Sequence, residues 1–266
     1  MTIDQTTAAF GARQPSGLAP KRVTDAALLL IQARAERRLM SVPFPIPEID
    51  DAYAVQDSVS AALGPVGAWK VGAKSPLAQP TCAPIFASLV HASPAAIPAA
   101  QLGMIGIEAE IAFRLARAVE PGGPPFREFD LPALIASAHP AIEVVDTRIA
   151  DWKKADRLWL LADNQMNGGL VVGAAATQLP PDFTKLPVAL TVDGKVTVEA
   201  IGGNSAGDPF RVLLWLLNHC RGNGIALPQG LPITTGSCTG MTFVRPGARV
   251  AATFAGFGSV AVSFPT

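Results

Sequence analysis

Glu108 and Glu110 stand two residues apart in the stretch Gly106-Ile107-Glu108-Ala109-Glu110-Ile111-Ala112-Phe113. On a strand, successive side chains point to opposite faces, so both carboxylates share one face while Ile107, Ala109, Ile111 and Phe113 share the other. A helix would turn residues two apart onto different faces. Two like charges beside an apolar layer repel unless something positive lies between them. A second β-prone run, Ala141-Ile142-Glu143-Val144-Val145-Asp146, sets Glu143 among apolar neighbours, where an unpaired carboxylate is costly. Three such acids call for a cation. Oxygen-only ligation, with no histidine or thiolate at matching spacing, suits a hard ion such as Mg²⁺ or Mn²⁺ better than zinc. Spacing alone leaves a second reading open, in which Glu108 and Glu110 line the solvent face of a half-exposed strand and Glu143 pairs with Arg148 or a lysine.

Gly67-Ala68-Trp69-Lys70-Val71-Gly72 places a lysine on a short strand between glycines. An ammonium there can come close to a substrate and stabilise a developing enolate, although the same pattern also fits a surface lysine. Lys74, a little further on, is read as a contact for a substrate carboxylate. Asp163 and Asn164 fit turn formers that bond their own backbone. His91, His139 and His219 lie in no recognisable nucleophile context, which argues against a Ser-His or Cys-His hydrolase. The segment Gly202-Gly203-Asn204-Ser205-Ala206-Gly207 lacks both the Gly-Lys-Ser/Thr of a phosphate loop and the spacing of a dinucleotide fingerprint, so it reads as a turn-rich connection.

The elements that must position these groups begin with helices. Residues 1 to about 20 carry no periodicity and read as a loose leader. From Thr24, apolar Ala26, Leu29, Leu30 and Ala33 recur at i, i+3, i+4 and i+7, predicting an amphipathic helix capped by Thr24 or Asp25. Pro43, Pro45 and Pro47 break the chain before a second helix over Ile49 to Leu63, ended by Gly64 and Pro65. Beyond it strands dominate: Trp69 to Val71, Ile107 to Leu115, Ala141 to Val145, Gly169 to Gly173, and Val188 to Thr197 with an Asp193-Gly194 hairpin turn. One further helix is expected over Pro209 to Cys220. The reading is therefore an α+β chain, with residues 1–65 a helical segment packed on a β-rich catalytic domain over 66–266, one structural unit overall.

The 266 residues are 49% hydrophobic and 16% charged, enough apolar material for a sizeable core. Lys+Arg and Asp+Glu balance at 21 each, so no global field favours nucleic acid or an anionic membrane. Cys82, Cys220 and Cys238 form no metal-clamp or redox spacing and read as buried thiols in a reducing compartment. No apolar run reaches the length of a spanning helix, and no signal-peptide core precedes the first helix, so a cytoplasmic protein is expected.

The Gly106 to Phe113 stretch, Pro140-Ala141-Ile142-Glu143-Val144-Val145-Asp146-Thr147-Arg148-Ile149, Ala162-Asp163-Asn164, Thr235-Gly236-Ser237 and Gly256-Phe257-Gly258-Ser259-Val260 occur in this order. In combination they resemble the hydratase branch of the fumarylacetoacetate hydrolase superfamily, from about Val66 to the C-terminus. The resemblance implies a fumarylacetoacetase-like mixed β-sheet roll, with Glu108, Glu110 and Glu143 binding the catalytic Mg²⁺ or Mn²⁺. It implies Lys70 as the group stabilising an enolate, Asp163 as a proton shuttle, and Asn164, Met166 and Ser237 as substrate contacts. The implied reaction adds water to a 2-hydroxy-2,4-dienoate or its 2-oxo-3-enoate tautomer, as in 2-keto-4-pentenoate hydratases. Decarboxylation of 4-oxalocrotonate-like acids and C-C hydrolysis of acylpyruvates belong to the same superfamily. The implied partners are a small 2-oxo acid and further copies in a homo-oligomer, with a complex with a related decarboxylase also admitted. Met166, where the family carries a small or hydroxyl-bearing residue, and an Arg148 to Asp163 spacing one residue longer than usual depart from the pattern. They motivate an alternative reading as a non-catalytic metal-binding subunit.

Overall fold

The computed structural model describes residues 15–266, so most of the expected leader lies outside the described residues. Helix α1 spans Pro20–Glu36 and starts earlier than its apolar stripe suggests. Proline's fixed φ and missing N–H suit the first turn of a helix, and Ala19 rather than Thr24 or Asp25 is the N-cap. Thr24 lies inside the helix, its hydroxyl donating back to the Pro20 carbonyl at 3.2 Å. Helix α2 spans Ile49–Leu63, as expected, with Glu48 and Asp51 capping each other's backbone. Asp51 Oδ1 also accepts the N–H groups of Ser16, Gly17 and Leu18, which ties the start of the described chain to α2.

The strands are β1 (Val66–Gly72), β2 (Thr81–Phe86), β3 (Val90–Ala92), β4 (Ala95–Ala96), β5 (Gly106–Leu115), β6 (Ile135–Val145) and β7 (Asn167–Val172). They continue with β8 (Pro187–Val192), β9 (Lys195–Ile201), β10 (Pro232–Ser237), β11 (Thr242–Phe243), β12 (Arg249–Phe254) and β13 (Gly258–Ser263). Short helices α3 (Leu131–Leu134) and α4 (Arg157–Ala162) precede β6 and β7, and α5 covers Pro209–Gly222. Asp193 (φ 50°) and Gly194 (φ 78°) turn β8 into β9, both residues in the left-handed region that a type I′ hairpin turn requires.

The larger sheet runs β2-β1-β10-β5-β6-β7-β3, with β11 also on β5; the smaller runs β4-β13-β12-β8-β9. Both are mixed, since β1 pairs parallel with β10, β3 with β7 and β4 with β13. Strands β12 and β13 pack on β6. The two faces of the larger sheet differ. Ile107, Ala109, Ile111, Phe113, Ile142 and Val144 join the main core together with α1, α2 and α5. The opposite face carries a separate apolar patch of Ala68, Ile85, Ala112, Ala141, Leu170 and Val172. That second face also holds the charged groups.

Candidate active site

Strand alternation and register bring the acids together. Glu108 sits directly opposite Glu143 on the β5/β6 ladder, and Glu110, two residues along, shares their face. Ligand oxygens of Glu108, Glu110 and Glu143 lie within 4.8 Å of one another. Lys70 reaches them from β1, where Trp69, 1% exposed, is turned into the core. Its ammonium forms an ion pair with Glu143 Oε1 and donates to the Gln165 carbonyl at 3.1 Å. Glu143 thus pairs with a lysine, as the second reading of the spacing allows, while Arg148 pairs with Asp163 and Asp146.

One lysine does not neutralise three carboxylates. Glu143 is fully buried and Glu110 is 2% exposed. Burial, and then the charge of Glu143, pushes Glu108 up to about 7. Burial, and then Glu143 and Glu108, pushes Glu110 up to about 8. Burial alone would lower Lys70, but the charges of Glu143, Glu108 and Glu110 outweigh it and hold the ammonium above its ordinary range. Cys238, near Glu110, is pushed up to about 12 by burial and stays a thiol, so the donor set here is oxygen.

Neutral groups orient the carboxylates. Glu110 Oε2 accepts from the Thr234 hydroxyl and from the Gly236 N–H at 3.0 Å. Gly236 has φ +96°, a conformation that disfavours any side chain. Asn167 Nδ2 donates to Glu143 Oε1 at 2.9 Å. The other Glu143 oxygen, Gln165 Oε1, Asn167 Oδ1 and Ser237 Oγ are buried without a hydrogen-bond partner. Buried polar atoms are rarely left so, and their gathering around three repelling carboxylates fits a divalent cation with oxygen ligands. The three glutamates, Gln165 and Ser237 face a cavity of about 310 Å³ whose wall also includes Lys74, Thr81 and Ser205.

Lys70, Lys74, Glu108, Glu110, Glu143 and Ser237 are therefore brought to one cavity. Asp163, Asn164 and Met166 are not among its lining residues. Asp163 is fully buried, and both its oxygens are engaged: Oδ1 by Arg148 Nε (2.6 Å) and Arg34 Nη2 (3.1 Å), Oδ2 by the Thr147 hydroxyl (2.9 Å) and the Arg148 N–H (3.0 Å). A carboxylate engaged by two guanidiniums, a hydroxyl and a backbone N–H is held in place, and Asp163 does not line the cavity that the expected proton shuttle would serve. Asn164 Oδ1 accepts from Arg34 (3.0 Å) and its Nδ2 donates to the Pro84 carbonyl (3.3 Å), while Met166 is packed in the interior.

What these residues position is the turn between them. Asn164, Gln165 and Met166 all have positive φ, 49°, 50° and 60°. Each costs roughly 1 kcal/mol or more for a side-chain-bearing residue. The anchors on Asp163 and Asn164 hold this turn, and its product is the Gln165 carbonyl aimed at Lys70. The sequence alone does not single out Gln165, Asn167, Thr234 or Ser205. The only sequence signal for the first two is their place within three residues after Asp163-Asn164.

Among the described residues no helix is long and apolar enough to cross a membrane. Known proteins resemble the chain over most of its length. A 2-keto-4-pentenoate hydratase of Paraburkholderia phymatum is 32% identical over 260 residues, covering 91% of this chain and 97% of that protein. A hydratase of the same name from Paraburkholderia xenovorans is 28% identical, covering 93% and 96%. The fold is similar to that of 4-oxalocrotonate decarboxylase from Pseudomonas putida G7, solved with magnesium and adipate, with a TM-score of 0.82 at 24% identity over 93% of this chain and 98% of the other. Residues 61–264 match the family described as fumarylacetoacetate (FAA) hydrolase C-terminal, and the chain belongs to that family.

Proposed function

We propose that the protein is a divalent-metal hydratase that adds water to a small 2-hydroxy-2,4-dienoate or its 2-oxo-3-enoate tautomer. The observation that carries this reading is the convergence of Glu108, Glu110, Glu143 and Lys70 on one cavity surrounded by unpartnered polar atoms. The three glutamates would hold Mg²⁺ or Mn²⁺. Such an ion, when bound, supplies electrophilic polarisation of an adjacent carboxylate and 2-oxo group. Lys70, kept protonated by its acidic neighbours, donates toward the oxygen on which enolate charge develops. The Gln165 carbonyl and Glu143 fix its direction. Lys74 offers a second cation for a substrate carboxylate, and Ser237 and Ser205 offer hydroxyls along the same wall. Asp163 and Asn164 act at one remove, holding the turn that carries Gln165. The protein is read as a homo-oligomer on the same family grounds, with a related decarboxylase as a candidate second subunit.

The experiment is incubation of Mg²⁺-loaded protein with 2-hydroxypenta-2,4-dienoate, followed by ultraviolet absorbance and mass analysis. Formation of 4-hydroxy-2-oxopentanoate supports the hydratase. An untouched dienoate together with CO₂ release from 4-oxalocrotonate assigns the site to decarboxylation instead, and no turnover of dienoate, oxalocrotonate or acylpyruvate leaves a metal-binding subunit.

A further inference from the structure

A second cavity, of about 330 Å³, adjoins the glutamate site through Asn167, which lines it while donating to Glu143. Its charged wall consists of Arg34, Arg37, Arg38 and Arg148 with Asp146; much of the rest is apolar, including Leu89, Ile97 and Leu102. Arg34 and Arg148 share a single carboxylate, Asp163. Arg148 also lies 3.9 Å from Asp146, whose Oδ1 is engaged by the Gly103 and Met104 N–H groups. Arg38 pairs with Glu36. Among the described residues, Arg37 has no carboxylate within ion-pair distance. Four guanidiniums thus meet three carboxylates, and Arg37, exposed at the rim, is the one without an acidic partner among the described residues.

Arg34 Nε is buried without a partner. Burial, and then the neighbouring charge of Arg148, lowers Arg34 to about 9, still cationic at neutral pH. His91, also in the wall, is lowered by burial and adds no charge there. A cavity with one excess cation, guanidinium donors suited to a planar acid and an apolar remainder matches one class of ligand. Its volume lies at the lower end of small-molecule sites, which run from roughly 300 Å³.

We propose that this cavity binds a small monocarboxylate with an apolar body, independently of the glutamate site. The carboxylate would supply the missing charge, with Arg37 free at the rim to close on it, and the hydrocarbon would lie along Leu89, Ile97 and Leu102.

The test is calorimetric titration of hexanoate, with hexanamide as its uncharged counterpart, into EDTA-stripped full-length protein and its Glu108→Gln variant. Both proteins are expected to bind hexanoate alike and hexanamide about ten-fold more weakly or not at all. Arg37→Gln, at an exposed position, is expected to weaken hexanoate by about ten-fold. Arg34→Gln should abolish binding, but it removes a buried partner of Asp163, so the exposed Arg37 variant decides the matter if Arg34→Gln does not fold. Absence of hexanoate binding, equal binding of hexanamide, loss of binding in Glu108→Gln, or indifference to Arg37→Gln would each overturn the proposal.

Discussion

Stripping the metal should make the protein lose stability as pH rises through neutrality. Glu108 at about 7 and Glu110 at about 8 both titrate well above the 4.5 of an ordinary glutamate, so the folded state binds more protons than the unfolded state between these limits. Stability then falls with rising pH, because the slope follows the protons bound in the unfolded state minus those in the native state. The penalty is absent below about 4.5, grows above it and is complete only above about 8. Treating the two groups as independent, with about 1.4 kcal/mol per pH unit, the loss between pH 6 and pH 8.5 is about 4 kcal/mol. For a chain of this size that corresponds to a fall in Tm of roughly 8–16 °C. Mg²⁺ should reverse the trend, since binding requires both carboxylates ionised: its stabilisation should be larger at pH 8.5 than at pH 6 and should release protons near neutrality. The assay is thermal melting in EDTA and in Mg²⁺ across this range, with proton release measured calorimetrically in buffers of different ionisation enthalpy. A stripped protein whose Tm stays flat or rises from pH 6 to 8.5, or a Mg²⁺ shift indifferent to pH, would show that Glu108 and Glu110 are ordinary carboxylates.

Other variants separate the parts of the site. Lys70→Met should lower kcat by about 10²- to 10³-fold, the usual loss for one preorganised donor, while the Mg²⁺-loaded protein stays folded; a near-wild-type rate would remove Lys70 from the chemistry. Asp163→Asn leaves Arg34 and Arg148 without their shared charge and should cost about 3–5 kcal/mol in denaturant unfolding; a cost under about 1 kcal/mol would contradict the anchoring role. Gly236→Ala, at φ +96°, should destabilise the fold by about 1 kcal/mol or more and, by displacing the backbone N–H that Glu110 accepts, weaken Mg²⁺ binding; unchanged metal affinity would show that strain there does not reach the Glu110 carboxylate.

The acids were legible because strand alternation is local: two glutamates at i and i+2 in an apolar run can share a face in only one kind of element. The β5/β6 register that sets Glu108 opposite Glu143 was not, since it depends on pairing across a long connection. Thr234 reaches Glu110 because β10 lies between β1 and β5, a strand order that no local pattern specifies. The start of α1 was misplaced because the apolar stripe begins after the first turn, whereas Pro20 sets the true boundary. Asp163 illustrates the same limit at the site. Its type and position suit a pocket acid, but its partner Arg34 is 129 residues away on α1, a contact that no local pattern announces. Gln165 escaped notice because its role comes from its carbonyl in a left-handed turn, and side-chain type says little about either.

On the proposed reading, turnover depends on a divalent ion held by Glu108, Glu110 and Glu143. The most direct test is the initial rate of 2-hydroxypenta-2,4-dienoate loss by EDTA-stripped protein titrated with Mg²⁺, alongside Glu108→Gln at the same concentrations. The expected result is no rate without metal, a saturable rise for the wild type, and little or none for Glu108→Gln. Dienoate turnover that persists in EDTA, or a Glu108→Gln protein that saturates like the wild type, would contradict it.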